Sequence, residues 1–104
     1  MYQLKFLELA KNDFDNIINY VMYDLNNKTA AENLIMRFEK ELNYILEYPY
    51  WNSTIQSSKG LDNNYRKTKV KNYYIFYTID EGNKTIIIVR VIYIKRNIDK
   101  LLTN

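Results

Sequence analysis

The sequence predicts a single α+β domain of order β-α-α-β-β-β, in which a helical hairpin packs on one face of an antiparallel sheet. The strongest indication is a hairpin near the C-terminus, made of an aromatic and β-branched run at Tyr73–Ile79 and an apolar run at Thr85–Ile94. Two stretches with helical periodicity precede it between residues 10 and 48. An isolated hairpin is marginal in water, so the apolar helix faces are expected to cover it.

The second hairpin strand is expected near the middle of the sheet. Its apolar side chains fall on both faces and only Arg90 interrupts them, a pattern typical of a strand with neighbours on both sides. Asp80–Asn83 supplies the turn, in which Gly82 and Asn83 are able to take positive φ.

The first half predicts a strand and two helices. Tyr2–Leu7 alternates in polarity, as a strand does. From Ala10 a helical stripe follows, with acidic residues in its first turns and Asn26-Asn27 at its end. Its apolar positions are Phe14, Ile17, Ile18, Val21, Met22 and Leu25, and its early acidic residues are Asp13 and Asp15.

The second helix is predicted to begin with a capping box at Thr29–Glu32 and to end before Pro49. Its apolar stripe comprises Ala31, Leu34, Ile35, Phe38, Leu42, Ile45 and Leu46. A polar loop at Trp51–Asn64 follows. At the other end of the chain, residues 97–102 are predicted to form a short helical turn that lies on the body.

The strand between the loop and the hairpin carries an unusual number of lysines. Period-two geometry places Tyr65, Lys67, Lys69 and Lys71 on one face and Arg66, Thr68 and Val70 on the other. Edge strands carry lysine to discourage aggregation, but three lysines at alternate positions exceed that need. They indicate an anionic partner.

Composition narrows the function classes. The chain has 104 residues, no cysteine and no histidine, which excludes a disulfide framework, a thiolate nucleophile and histidine acid–base chemistry. No metal or cofactor is expected. No signal peptide or membrane-length apolar run is visible, so a cytoplasmic protein without membrane contact is predicted.

The charge is asymmetric. Residues 1–52 carry five Lys/Arg and eight Asp/Glu, whereas residues 53–104 carry ten Lys/Arg and four Asp/Glu. A basic half suits a nucleic acid or an acidic protein segment, although a solvated basic face would show the same pattern.

Several stretches in order resemble the RelE/ParE superfamily of type II toxin–antitoxin toxins. They are Tyr65-Arg66-Lys67, Asn72–Tyr77, the Ile79-Asp80-Glu81 turn, and Arg90–Tyr93 followed by Lys95-Arg96. The resemblance covers essentially the whole chain. It implies a toxin neutralised by a cognate antitoxin whose otherwise disordered segment wraps around it. It also implies one of two targets, because RelE-like toxins cut mRNA on the ribosome whereas ParE-like toxins poison DNA gyrase.

Two departures favour the ParE-like alternative. RelE-like nucleases carry an arginine where Tyr74 stands, and a tyrosine in the C-terminal tail where this chain has none. The Arg90–Tyr93 pattern is also closer to ParE-type and plasmid stabilization members. We therefore expect growth arrest by binding an essential target such as DNA gyrase.

Ribosome-dependent mRNA cleavage is the alternative, and a basic adaptor without toxicity is a third class. The predicted target-binding residues are Lys67, Lys69, Lys71, Arg90 and Arg96. Tyr93 is a candidate proton donor that is better explained by packing. Catalytic residues stay unassigned, and the oligomeric state stays open.

Overall fold

The computed structural model describes residues 1–55 and 64–95. The helices are α1 (Glu8–Asn19), a π-helical turn (Tyr20–Asp24) and α2 (Lys28–Glu47). The strands are β1 (Gln3–Phe6), β2 (Arg66–Val70), β3 (Tyr73–Asp80) and β4 (Thr85–Tyr93), which form one sheet in the order β1-β4-β3-β2. This confirms the α+β class and the element order. The predicted C-terminal helical turn, Arg96 and part of the Trp51–Asn64 loop lie outside the described residues.

The sheet is mixed, which corrects the expectation of a purely antiparallel sheet. β2, β3 and β4 pair antiparallel, but β1 runs parallel to β4, with Gln3 opposite Thr85. A parallel neighbour requires a long crossover, and the two helices and following strands between β1 and β4 provide it. β4 lies between β1 and β3, as its apolar residues on both faces predicted.

The first helix begins at Glu8, two residues earlier than predicted, so Asp13 lies beyond its first turn. Its end widens into the π-helical turn, where the amide of Leu25 donates to the carbonyl of Tyr20 at 3.0 Å. Asn26 then takes φ 49°, which confirms that this asparagine ends the helix in the left-handed region.

The start of α2 differs from the prediction. Asn27 is the N-cap, and its Oδ1 accepts a 3.0 Å hydrogen bond from the amide of Ala30. The capping box at Thr29 was therefore wrong, because the helix has already begun at Lys28. Asn27 both follows the left-handed Asn26 and caps the next helix, which keeps the link between the helices short. Pro49 stops α2 as predicted, after Glu47.

The β3–β4 turn also departs from the expected backbone. Lys84 takes the positive φ, 49°, whereas neither Gly82 nor Asn83 does. The Asp80 carboxylate explains the difference, because it accepts from both the backbone amide and the side-chain amide of Asn83, at 3.2 Å and 2.8 Å. Because these two bonds hold Asn83, the residue with positive φ is the next one along the chain, Lys84.

The core lies between the helices and one face of the sheet. Its helical members include Ile18, Val21, Leu34, Phe38 and Ile45, with Phe14, Ile17 and Leu42 packed against them. Its sheet members include Val70, Ile75, Tyr77, Ile86, Ile88 and Val91. The predicted helical stripes are thus buried on one face, except for Leu25, which caps the π-helical turn and is 55% exposed.

Candidate target-binding surface

β2 separates its side chains as period-two geometry predicted. Thr68 and Val70 are buried toward the helices, and the Thr68 hydroxyl donates to the Glu41 carboxylate on α2 at 2.9 Å. Lys67 and Lys69 are exposed on the opposite face. We call that face, with Lys67, Lys69, Tyr74, Phe76 and Ile92, the outer face.

The pairing register of the strands arranges the residues of the outer face in two rows across the sheet. Lys69, Tyr74 and Ile92 lie opposite one another across β2, β3 and β4, and Lys67 lies opposite Phe76 in the adjacent row. The Lys67 ammonium sits 4.4 Å from the centre of the Tyr74 ring, a cation–π distance, and that ring meets Phe76 edge-on at 6.0 Å. Because Phe76 and Ile92 are buried, the accessible part of this face consists of the two exposed lysines beside the half-buried ring of Tyr74.

Arg90 lies in the register of the outer face but turns its side chain to α1. Its Nε and Nη2 donate to the two Asp13 carboxylate oxygens at 2.7 Å and 3.0 Å, and the amide of Val91 donates to the same carboxylate at 3.0 Å. Both side chains are only 14% exposed. The bond to Asp13 raises the pKa of Arg90 above its already high value. The charge of Arg90 is therefore compensated and part-buried.

The predicted site residues are thus distributed over three places. Lys67 and Lys69 extend from the outer face, whereas Arg90 is paired with Asp13. Lys71 was predicted on the strand face of Lys67 and Lys69, but it lies beyond the end of β2, takes φ 54° in the turn and lines a groove with Arg37 and Lys40 of α2. Those two cations were not among the predicted site residues, although both lie on the exposed side of the predicted helix, away from its apolar stripe.

A cluster of polar groups forms at the opposite end of the sheet, around Glu81. Its carboxylate accepts from the hydroxyls of Tyr2 and Tyr50, at 2.8 Å and 2.5 Å, and from the Lys84 ammonium. These bonds, that of Lys84 most strongly, lower the pKa of Glu81 to about 2. The same carboxylate raises the pKa of Tyr50 to about 12. The cluster ties β1, the segment after α2 and the β3–β4 turn together.

Other candidate chemistry is limited. Tyr93 is 40% exposed and its ring packs 5.7 Å from Tyr73, in keeping with a packing role. Burial raises the pKa of Tyr73, which disfavours its phenolate form.

Within residues 1–55 and 64–95, no group of three or more acidic side chains is placed to hold a metal ion. Over the same residues, no helix has the length and apolarity needed to cross a bilayer.

The order of the elements defines a small α+β domain with a mixed four-stranded sheet, whose outer face carries two exposed lysines. A family model described as the ParE toxin of a type II toxin–antitoxin system, parDE, matches residues 4–98. The chain therefore belongs to the ParE toxin family of type II toxin–antitoxin systems.

Solved structures from toxin–antitoxin systems share the fold. A chain of the chromosomal ParDE toxin–antitoxin system of Pseudomonas aeruginosa superposes with a TM-score of 0.72 at 15% identity, covering 91% of this chain and 98% of that one. The Escherichia coli RelBE toxin–antitoxin complex gives 0.62 at 19% identity, covering 92% and 100%. Isolated E. coli RelE gives 0.62 at 18% identity, covering 99% and 96%. No curated protein sequence matches the chain.

Proposed function

We propose that this toxin arrests growth by binding an essential target without cutting RNA, with DNA gyrase as the candidate target. The observation that carries the proposal is the pairing of Arg90 with Asp13. RNA cleavage without histidine requires a cation to stabilise charge developing on the phosphate. An arginine whose guanidinium is already held by a carboxylate on two of its nitrogens is poorly suited to that role.

The outer face fits binding better than catalysis. Its described cations are Lys67 and Lys69, which are flexible point charges that cannot form the two-pronged arginine contact with a phosphate. Tyr74 presents a ring to Lys67 where RelE-like nucleases carry arginine. Exposed lysines around an aromatic ring supply charge complementarity and contact area, both of which serve recognition of a large acidic partner.

Ribosome-dependent mRNA cleavage is the second candidate. The proximity of Lys67 to Tyr74 favours it, because an ammonium that leaves the face of the ring can hold a phosphate while the phenol supplies a proton. Both candidates keep the cognate antitoxin as the neutralising partner, in line with the family of the chain.

Two assays with the purified toxin separate the candidates. The first measures DNA supercoiling by gyrase, and the second measures mRNA cuts on translating ribosomes by primer extension. We expect inhibited supercoiling and intact mRNA. Site-specific cuts on ribosomes that the antitoxin prevents would contradict the proposal and establish the nuclease alternative. A toxin saturated with antitoxin serves as the matched negative control in both assays.

A further inference from the structure

One edge of the sheet is formed by β1, which pairs with β4 on one side only. The amides of Gln3 and Leu7 donate to carbonyls of the β4 side, at 2.8 Å and 3.0 Å. Successive amides of a strand point to opposite sides, so those of Leu4 and Phe6 point away from β4. β1 therefore presents a row of backbone donors and acceptors on its other side.

This edge is open over the part of the chain that the structure describes. Within residues 1–55 and 64–95, no group hydrogen-bonds to the outward amides of Leu4 and Phe6. The Asp13 carboxylate covers only the stretch of β4 beyond the end of β1, where it accepts from the Val91 amide. An open strand edge is a template for pairing with another strand, so its sequence determines which strand fits.

The sequence of β1 is self-complementary in an antiparallel pair. When two copies meet around a two-fold axis at Leu4, the two Leu4 residues lie opposite each other. Tyr2 of one copy then lies opposite Phe6 of the other, and Gln3 lies opposite Lys5. In this register every outward amide and carbonyl of one strand meets an outward group of the second, so the ladder of hydrogen bonds is complete.

Neighbouring registers are less favourable. A shift by one residue sets outward amides against inward ones, and the hydrogen bonds are lost. A pair centred on Lys5 places two ammonium groups directly opposite, where like charges destabilise a sheet. A pair centred on Gln3 leaves Phe6 without an opposite residue and shortens the ladder. The pair centred on Leu4 avoids all three faults.

The side chains match on both faces of this pair. Those on the helix side are half-buried and pack against the core, so the pair joins two apolar rims; they are Tyr2, Leu4 and Phe6. On the outer side, Gln3 and Lys5 are exposed and polar. Leu7, which is 39% exposed, lies opposite the exposed Met1 of the second copy. Apolar groups thus meet apolar groups, and polar groups meet polar groups.

We propose that β1 is a self-association edge, at which a second copy of this chain pairs antiparallel about Leu4. The two four-stranded sheets then form one continuous sheet with the two β1 strands at its centre. The two-fold axis is perpendicular to the sheet, so both helical hairpins lie on one side and both outer faces on the other. A pair built on strand edges buries little surface, and the dimer is therefore weak and concentration-dependent.

Sedimentation velocity of the antitoxin-free toxin tests the proposal over about 5–500 μM, the range suited to a small interface. A monomer–dimer equilibrium is expected, and it should tighten with salt because the two Lys5 ammoniums lie diagonally across the pair. Gln3→Glu places a carboxylate between those ammoniums and should tighten the dimer about fivefold or more at low salt. Gln3→Lys adds a further ammonium on each side and should weaken it by about as much.

The matched control is Asn43→Lys, which adds the same charge at an exposed position of α2 and should leave the equilibrium unchanged. Far-UV circular dichroism verifies that all three variants are folded, as expected for substitutions at exposed positions. A dimer that Gln3→Lys leaves as stable as Asn43→Lys does would place the contact elsewhere and overturn the proposal.

The register can be measured directly because the chain has no cysteine. Gln3→Cys and Lys5→Cys toxins, mixed and oxidised, should form a disulfide-linked dimer, since a non-hydrogen-bonded antiparallel pair brings the Cα atoms to about 4.5 Å. Either variant alone should stay unlinked, because the two equivalent positions lie diagonally at about 7–8 Å. Linking of one variant alone, without linking in the mixture, would show another register and overturn the proposal.

The outcome is separable from that of the proposed function. A toxin that stays monomeric at every concentration, with no linked product from the mixed cysteine variants, would overturn the inference whichever target the toxin binds. Detection of mRNA cleavage would overturn the proposed function, and the dimer measurements would stand.

Discussion

The Asp13 carboxylate of α1 accepts hydrogen bonds from two nitrogens of Arg90 and from the backbone amide of Val91. It therefore covers the edge of β4 beyond the end of β1. The register of β3 and β4 shifts at this point: Tyr77 pairs with Ile88 and Phe76 with Arg90, so the ladder skips Val89. A bulge re-aims the side chain that follows it. The Asp13 carboxylate therefore accepts from the Val91 amide, as a neighbouring strand would, and also neutralises the part-buried charge of Arg90.

Arg90→Met is expected to destabilise the protein, because it leaves Asp13 part-buried without its partner. Removing one member of a buried pair costs about 3 kcal/mol or more, and the 14% exposure of both side chains argues for the lower end. Denaturant unfolding measures the change. Lys84→Met, which breaks the exposed pair with Glu81, is the matched control and should cost much less, because water screens an exposed ion pair.

The double variant Asp13→Asn, Arg90→Met sharpens this test. It should recover part of the lost free energy of unfolding, because no buried charge then lacks a partner. A cost under about 1 kcal/mol for Arg90→Met alone, with growth arrest lost, would instead favour the predicted role of Arg90 in target binding.

The architecture was predictable because strong periodic patterns encode it. Phe38 and Val21 fall on helical stripes and are buried. β4, whose sequence is apolar on both faces, lies inside the sheet between two other strands. The local errors have a common physical source. Asn27 rather than Thr29 caps α2, and Lys84 rather than Gly82 takes positive φ. Several residues of suitable type stand together at each junction, and side-chain hydrogen bonds between them select one.

The candidate site was less predictable, since it depends on which groups tertiary structure pairs. The alternation of Lys67 and Lys69 followed from the strand period. Nothing in the sequence pairs Arg90 with an aspartate 77 residues earlier. The same holds for Arg37, which joins Lys71 because the helix and the strand end lie side by side. The spacing of residues along the chain predicts which face of a helix or strand each one occupies. Which charges neutralise one another depends on the distances between helices and strands, which the spacing does not give.

The N-cap of α2 can be tested with a pair of alanine substitutions. Asn27→Ala should lower the free energy of unfolding by about 1 kcal/mol, because the amide of Ala30 loses its acceptor. Thr29→Ala is the control, since Thr29 lies inside the helix and is exposed, and should change stability by less than about 0.5 kcal/mol. If Thr29→Ala lowered the free energy of unfolding more than Asn27→Ala, the capping box at Thr29 would be the true start of α2.

Phe38 is the ring around which the helical hairpin meets the sheet. It is 1% exposed, and its ring lies 5.0 Å from that of Phe14 and 6.1 Å from that of Tyr73. Phe38→Ala should cost about 3–5 kcal/mol, the usual range for a buried phenylalanine. Met36→Ala on the exposed side of the same helix should stay within about 0.5 kcal/mol. Equal losses at the two positions would mean that the helix is rotated.

Glu81 should make stability depend on acid pH. Its pKa of about 2 in the folded protein lies below its ordinary 4.5, so the unfolded chain binds the proton more readily. The stabilisation is complete above pH 4.5 and is lost as the pH falls toward 2. Glu81→Gln should therefore lower the Tm near neutral pH, and the difference from wild type should vanish near pH 2.

The controls for this pH dependence use the partners of the carboxylate. Tyr50→Phe removes one donor and should raise the pKa of Glu81, measured by carboxyl-carbon NMR. Glu39→Gln, at an exposed position of α2 outside the cluster, is the control for removing one carboxylate charge. A Tm difference between wild type and Glu81→Gln that persists unaltered at pH 2 would show that the carboxylate charge is not the cause.

Lys67 and Lys69 should determine target recognition without supporting the fold. Both are exposed on the outer face, so Lys67→Gln with Lys69→Gln should change the free energy of unfolding by less than about 0.5 kcal/mol. Growth arrest should weaken in step with target affinity. The effect should diminish at high salt, because salt shortens the distance over which exposed charges attract, which is about 10 Å at roughly 0.1 M ionic strength. Lys11→Gln with Lys28→Gln is the charge-matched control. If the variant kept target affinity but lost activity on ribosomes by about 100-fold, the lysines would act on a transition state, and the nuclease alternative would replace binding.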